Sequence, residues 1–152
     1  MHRLRHPIAT FIVAVLVVIG AGVGIVSGTG GLPLPGLSAG LIAAVNAMGT
    51  DLRITPVSYD AASITVSEDE AVTLAVKNNA DPGTSVLAAQ VVQMRSVQYP
   101  EGALVWVVQF TPSGRSGGVG PAETTPYNFD IQIVNAKTGQ WIEGFGGYSP
   151  DL

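Results

Sequence analysis

The stretch Ala103-Leu104-Val105-Trp106-Val107-Val108-Gln109-Phe110-Thr111 decides the fold. Successive side chains of an extended chain point to opposite faces. Leu104, Trp106, Val108 and Phe110 therefore share one face, and Ala103, Val105 and Val107 share the other. An apolar pattern on both faces belongs to a central strand of a sheet rather than to a half-solvated one.

Toward the carboxyl end, Pro112–Pro126 contains four glycines and three prolines and reads as a loop. Tyr127–Val134 alternates cleanly, with Phe129, Ile131 and Ile133 inward and Asn128, Asp130 and Gln132 outward. Asn135-Ala136-Lys137-Thr138-Gly139 is a hairpin turn in which Gly139 supplies a positive φ. A return strand starts at Gln140–Glu143 and buries Trp141 or Ile142. The tail Gly144–Leu152 is too glycine-rich for regular structure; Phe145 and Tyr148 either pack back on the sheet or fray with it.

Toward the amino end, Val86–Tyr99 carries Val91, Val92, Met94 and Val97 and reads as a long bent strand. Ahead of it, Ser67-Glu68-Asp69-Glu70 forms a capping box: the Ser67 hydroxyl accepts the Glu70 N–H, and the Glu70 carboxylate returns to the Ser67 N–H. The three acids sit at the positive end of the helix dipole, which explains them without a catalytic or calcium-binding role. The helix runs from Glu68 to Asn78, with Ala71, Val72, Leu74, Ala75 and Val76 as its apolar arc and Asp69, Thr73 and Lys77 toward water. Asn78-Asn79 and Asp81-Pro82-Gly83 end it. Arg53–Val66 adds one strand, confined to the rim by Pro56. The expected fold class is α+β: one amphipathic helix on a small antiparallel sheet, preceded by an amino-terminal transmembrane or signal helix.

That leading segment is marked by charge. Of 152 residues only 12% are charged, about half the usual share, and none of the 44 residues from Pro7 to Thr50 is Asp, Glu, Lys or Arg. Arg3 and Arg5 precede the apolar run Ile8–Val26, whose 19 residues span roughly 28 Å as a helix, close to a bilayer core of about 30 Å. Two arginines ahead of it favour a cytoplasmic amino terminus and a single-pass anchor at the cell membrane, with the later domain outside. The alternative is a cleaved secretory signal, with Phe11–Ile19 as its apolar core and Val26-Ser27-Gly28 at the cleavage site. Either way the domain is exported. Gly20, Gly24 and Gly28 fall on one helix face, a spacing that permits close helix–helix approach and a weak homodimer.

The chain thus divides into an anchor or signal at 1–27, a Gly/Pro/Ala-rich linker at 28–50 and an exported domain at 51–152. Within the linker, Leu37–Met48 has helical spacing of Leu41, Ala44, Val45 and Met48 and is closed by Gly49. It packs on the domain, lies on the membrane, or stays flexible; the absence of Lys and Arg speaks against the membrane surface. From Asp51 onward there are 11 acidic and 5 basic residues, a formal charge of −6 that opposes binding to nucleic acid or anionic lipid.

The Ser-capped helix with its Glu70-Ala71 pair, the strand Val105-Trp106-Val107-Val108, and the strand Ile131–Gly139 running into a Thr-Gly turn together resemble the PepSY domain family over about residues 64–145. Asn135 stands where that family often has Asp, and the 112–126 loop is long. The resemblance implies an exported or tethered domain that inhibits or regulates peptidases outside the cytoplasm. It carries no catalytic residue to this chain.

Catalysis has few materials. There is no cysteine, and both histidines, His2 and His6, precede the apolar run. No H-E-x-x-H or S-x-x-K motif occurs, and with both histidines at the amino terminus no serine has a histidine base nearby in sequence, which leaves a Ser–Lys dyad assembled in space or a carboxylate pair such as Asp60 with Glu68. No catalytic, cofactor-binding or metal-ligating residue is assigned, and the expectation is not an enzyme. The primary expectation is a membrane-tethered, non-catalytic binding or regulatory module for an exported protein, acting through an exposed edge strand or an apolar groove, sought at the Gly/Pro loop and the edge strand flanking it. The alternative is a structural or small-ligand-sensing envelope module, with Trp106, Phe110, Phe129 and Trp141 lining its pocket or filling its core.

Overall fold

In the computed structural model, which describes residues 34–48, 51–79, 81, 83–112 and 126–152, the stretch apolar on both faces lies at the centre of a sheet. The chain runs through helix α1 (Ala39–Ala47), strand β1 (Arg53–Pro56), a 3-10 turn (Ala61–Ser63) and helix α2 (Glu68–Asn78). Strands β2 (Val86–Arg95), β3 (Ala103–Phe110), β4 (Phe129–Asn135) and β5 (Trp141–Gly147) follow. The five strands lie side by side in chain order and every neighbouring pair is antiparallel. In β3, Trp106 stands opposite Val91 of β2 and Val134 of β4. The expected small antiparallel sheet with a helix upon it is present.

The two faces of β3 feed two cores. Val105 and Val107 join Val92, Met94, Phe129, Ile131 and Ile133, and Leu41, Ala44 and Val45 of α1 close this cluster. Trp106, Val108 and Phe110 join Ala89, Val91 and Val134, and Ala71 and Ala75 of α2 close the other. The helices therefore cover opposite faces, and the sheet is the middle of three layers. A sheet carrying apolar residues on both faces requires cover on both, and α1 supplies the second cover.

Segment 34–48 thereby shares its core with the strands that follow it. Ser38 caps α1, accepting the Leu41 N–H at 3.1 Å, and Leu41 and Val45 are wholly buried. The expected cap Gly49 lies outside the described residues, as do the anchor or signal at 1–27, the glycines Gly20, Gly24 and Gly28, and most of the Gly/Pro loop. Among the described residues no helix is long and apolar enough to cross a membrane.

α2 spans the expected residues, and the Ser67 hydroxyl accepts the Glu70 N–H at 3.3 Å. Its sheet contact is narrower than the predicted arc. Ala71 and Ala75 are fully buried and Val72 and Leu74 pack half-buried against the same core, whereas Val76 is 53% exposed. Trp106 fixes the helix start: its indole N–H donates to the Val66 carbonyl at 2.8 Å inside the core. The Thr65 and Val66 N–H groups both donate to the Ala136 carbonyl at 3.0 Å, which ties the approach to α2 to the β4–β5 turn.

That turn forms as expected, with Gly139 at φ +71°. The Asn135 side chain accepts the N–H groups of Lys137 and Thr138 at 2.9 and 3.0 Å, the cap an aspartate carboxylate also provides.

Three expectations need correction. β2 ends at Arg95 rather than Tyr99, because the N–H and C=O groups of Ser96 and Tyr99 bond to each other and turn the chain. Gln132 does not face water; it is 6% exposed. And Gly144–Gly147 are not an irregular tail: they complete β5, pairing with Phe129–Gln132 of β4.

Candidate functional site

The two outer strands of the sheet differ, and the difference locates the site. An edge strand presents unpaired backbone N–H and C=O groups to any extended chain that approaches. β1 is short and closed. Its Ile54 N–H donates to the Asn46 side-chain oxygen at 2.8 Å, and the Asn46 amide donates to the Ile54 carbonyl at 2.9 Å. One carboxamide on α1 thus replaces the strand that would otherwise pair there. Pro56 ends β1 without an N–H, and β1 covers only Val92–Arg95 of β2. The rest of that side of β2 is met by the segment entering α1: the Ala89 N–H donates to the Pro35 carbonyl at 3.2 Å, and the Leu37 N–H donates to the Gln90 side chain at 2.9 Å.

β5 is longer and open. It has seven residues, a single charge at Glu143, and no described strand on its outer side. Three of its residues are glycine, and the space their side chains would take is filled from β4 and its approach by Gln132, Tyr127 and Phe129. The β4–β5 ladder is extended past its end by Asn128, whose side chain exchanges hydrogen bonds with the Ser149 N–H and C=O at 2.9 and 2.6 Å.

The face of β5 on the α2 side carries a fixed aromatic. Ile133 pairs with Glu143 but Val134 pairs with Trp141, so Ile142 is an extra residue in a bulge. Ile142 packs into the α1-side core, and Trp141 is left on the other face at 39% exposure. Its indole N–H donates to the Gln132 side-chain oxygen at 2.8 Å. Gln132 reaches this position by crossing Gly144: a Cβ at residue 144 would lie 2.1 Å from the Gln132 Oε1. Only glycine leaves that space, and this close approach is the sequence signal for a buried Gln132 that alternation alone misses.

Of the four aromatics considered for a pocket, Trp106, Phe110 and Phe129 are buried in the two cores and Trp141 alone is exposed. The candidate carboxylate pair is occupied separately: Asp60 accepts the Ala62 N–H at 3.0 Å, and Glu68 accepts the Leu34 N–H at 3.0 Å. Burial, aided by the Glu68 charge, raises the Tyr59 phenol above its usual value. Lys77 and Lys137 are exposed on α2 and in the β4–β5 turn. Among the described residues no three His, Asp or Glu side chains gather as metal ligands.

Compared with family models, curated proteins and solved structures, the chain matches none of them.

Proposed function

We propose that this protein is a membrane-tethered, non-catalytic binding module outside the cytoplasm, and that it captures an extended segment of an exported protein by adding it as a sixth strand beside β5. The observation that carries the proposal is the asymmetry of the edges: Asn46 occupies the backbone of β1, while no described strand pairs with the outer side of the seven-residue β5. Strand addition draws affinity from main-chain hydrogen bonds and selectivity from side-chain contacts on alternate residues, and Trp141 is the large side chain placed to make them. The resemblance to the PepSY domain supports an exported peptidase as the regulated partner. The charge-free run containing Ile8–Val26, preceded by Arg3 and Arg5, supports the tether and the outward domain.

Two measurements test it. A carboxyl-terminal tag on the full chain is expected to be digested by protease added to intact cells; a protected tag contradicts the topology. Crosslinking in the native envelope, followed by mass identification, is expected to recover an exported protein joined through an extended segment. Recovery of cytoplasmic proteins alone contradicts the function.

A further inference from the structure

Resting on the β5-edge reading, we infer that Gln132 makes this edge selective for a carboxamide, an Asn or Gln side chain, on the captured residue that faces Gly144. Gln132 is 6% exposed, and its Oε1 is held by the Trp141 indole N–H at 2.8 Å. That bond orients the amide and leaves Nε2 as the donor end. Nε2 has no hydrogen-bond partner among the described residues. A buried donor without a partner is rare in folded proteins and is costly to leave so.

The location of this donor connects it to a ligand. The Gln132 amide occupies the space above Gly144, with Nε2 only 2.3 Å from where a Cβ of residue 144 would stand. It lies over the outermost strand, not inside the sheet. A strand added to β5 runs about 4.8 Å beyond it, and the side chain opposite Gly144 rises on the same face as Gln132. A short side chain bearing an acceptor there meets Nε2, and a ring further along the segment meets Trp141.

Charge selects among the acceptors. Asp130, opposite Gly146 and two residues from Gln132, shares the α2-side face with it, and the chain from Asp51 carries a formal charge of −6. A carboxylate on the captured segment is disfavoured beside Asp130. A carboxamide is neutral, and its carbonyl accepts from Nε2. A Ser or Thr hydroxyl can also accept, but its oxygen stands one bond closer to the backbone than the Asn carbonyl oxygen and reaches less far.

The test pans a random peptide display library against the full chain held in detergent micelles. Selected peptides are expected to slow amide exchange at Gly144–Gly147 and to carry Asn or Gln at one position. Replacing that residue by Leu or Asp is expected to weaken binding about tenfold, the size of one well-placed hydrogen bond. Gln132→Glu keeps an acceptor for Trp141 but removes the donor, and is expected to shift the preference to Lys or Arg. Should that variant unfold, Gln132→Leu is expected to abolish the preference. Peptides that protect β5 without an amide preference, or with the same preference in both variants, overturn the role of Gln132 and leave edge capture standing. Failure of every selected peptide to protect β5 overturns edge capture, and the inference with it.

Discussion

The two rims of one sheet have been finished in opposite ways. At β1, a four-residue strand ends in Pro56 and its central backbone groups are taken by Asn46. At β5, seven residues with three glycines end the sheet with no such cover among the described residues. Blocking an edge with a side-chain amide is an economical guard against edge-to-edge association. A fold that guards one rim and leaves the longer one without cover among the described residues has the form expected of a strand-capturing module, and the difference can be broken from either side.

The largest effect comes from removing the frame that both rims share. Trp106→Ala deletes a 4%-exposed indole and its bond to Val66, and is expected to lower unfolding free energy by about 3–5 kcal/mol in a urea titration. Next, Asn46→Ala strands the N–H and C=O of Ile54, which is 1% exposed, at an expected loss of about 1–3 kcal/mol. It also converts β1 into an open edge. Sedimentation is expected to show concentration-dependent association of this variant and not of the parent, and equal behaviour of the two would show that Asn46 is not a guard.

At the other rim the expected signature is reversed. Trp141→Ala removes a ring that is 39% exposed together with the donor to the buried Gln132 oxygen, so stability is expected to fall by about 1–3 kcal/mol. Binding of captured polypeptide, followed by fluorescence anisotropy, is expected to weaken about tenfold or more, as for an aromatic anchor at an interface. The smallest effect is electrostatic. Because the folded Tyr59 phenol titrates above its unfolded value of about 10, folded protein holds the proton more tightly there. Its stabilising contribution is complete below pH 10 and declines as pH rises through the folded value. Tyr59→Phe is expected to flatten that decline in alkaline unfolding curves and to leave neutral stability close to unchanged.

Much of the scaffold was legible in the chain because periodicity reports burial directly. The double-sided apolar pattern of 103–111 identifies a central strand, Ser67 with Glu70 marks the start of α2 to the residue, and Gly139 marks its turn. The site was less legible because it depends on pairs of residues remote in sequence. Gln132 reads as solvent-facing until Gly144, twelve residues later, is seen to make room for it. Asn46 reads as one polar residue in a short apolar helix until Ile54 is brought beside it. The bulge at Ile142 flips Trp141 to the opposite face, and no local pattern announces a one-residue insertion. Likewise β5 extends through glycines that weaken a strand on local grounds but here admit Gln132 against it.

The proposed capture at one rim is tested most directly by placing a photoreactive residue at Glu143 of β5 in one full-length chain and at Thr55 of β1 in another, and irradiating both in intact cells. Edge capture predicts adducts with an exported protein from position 143 and none from position 55. Adducts from position 55 matching those from 143, or none from 143, would contradict it.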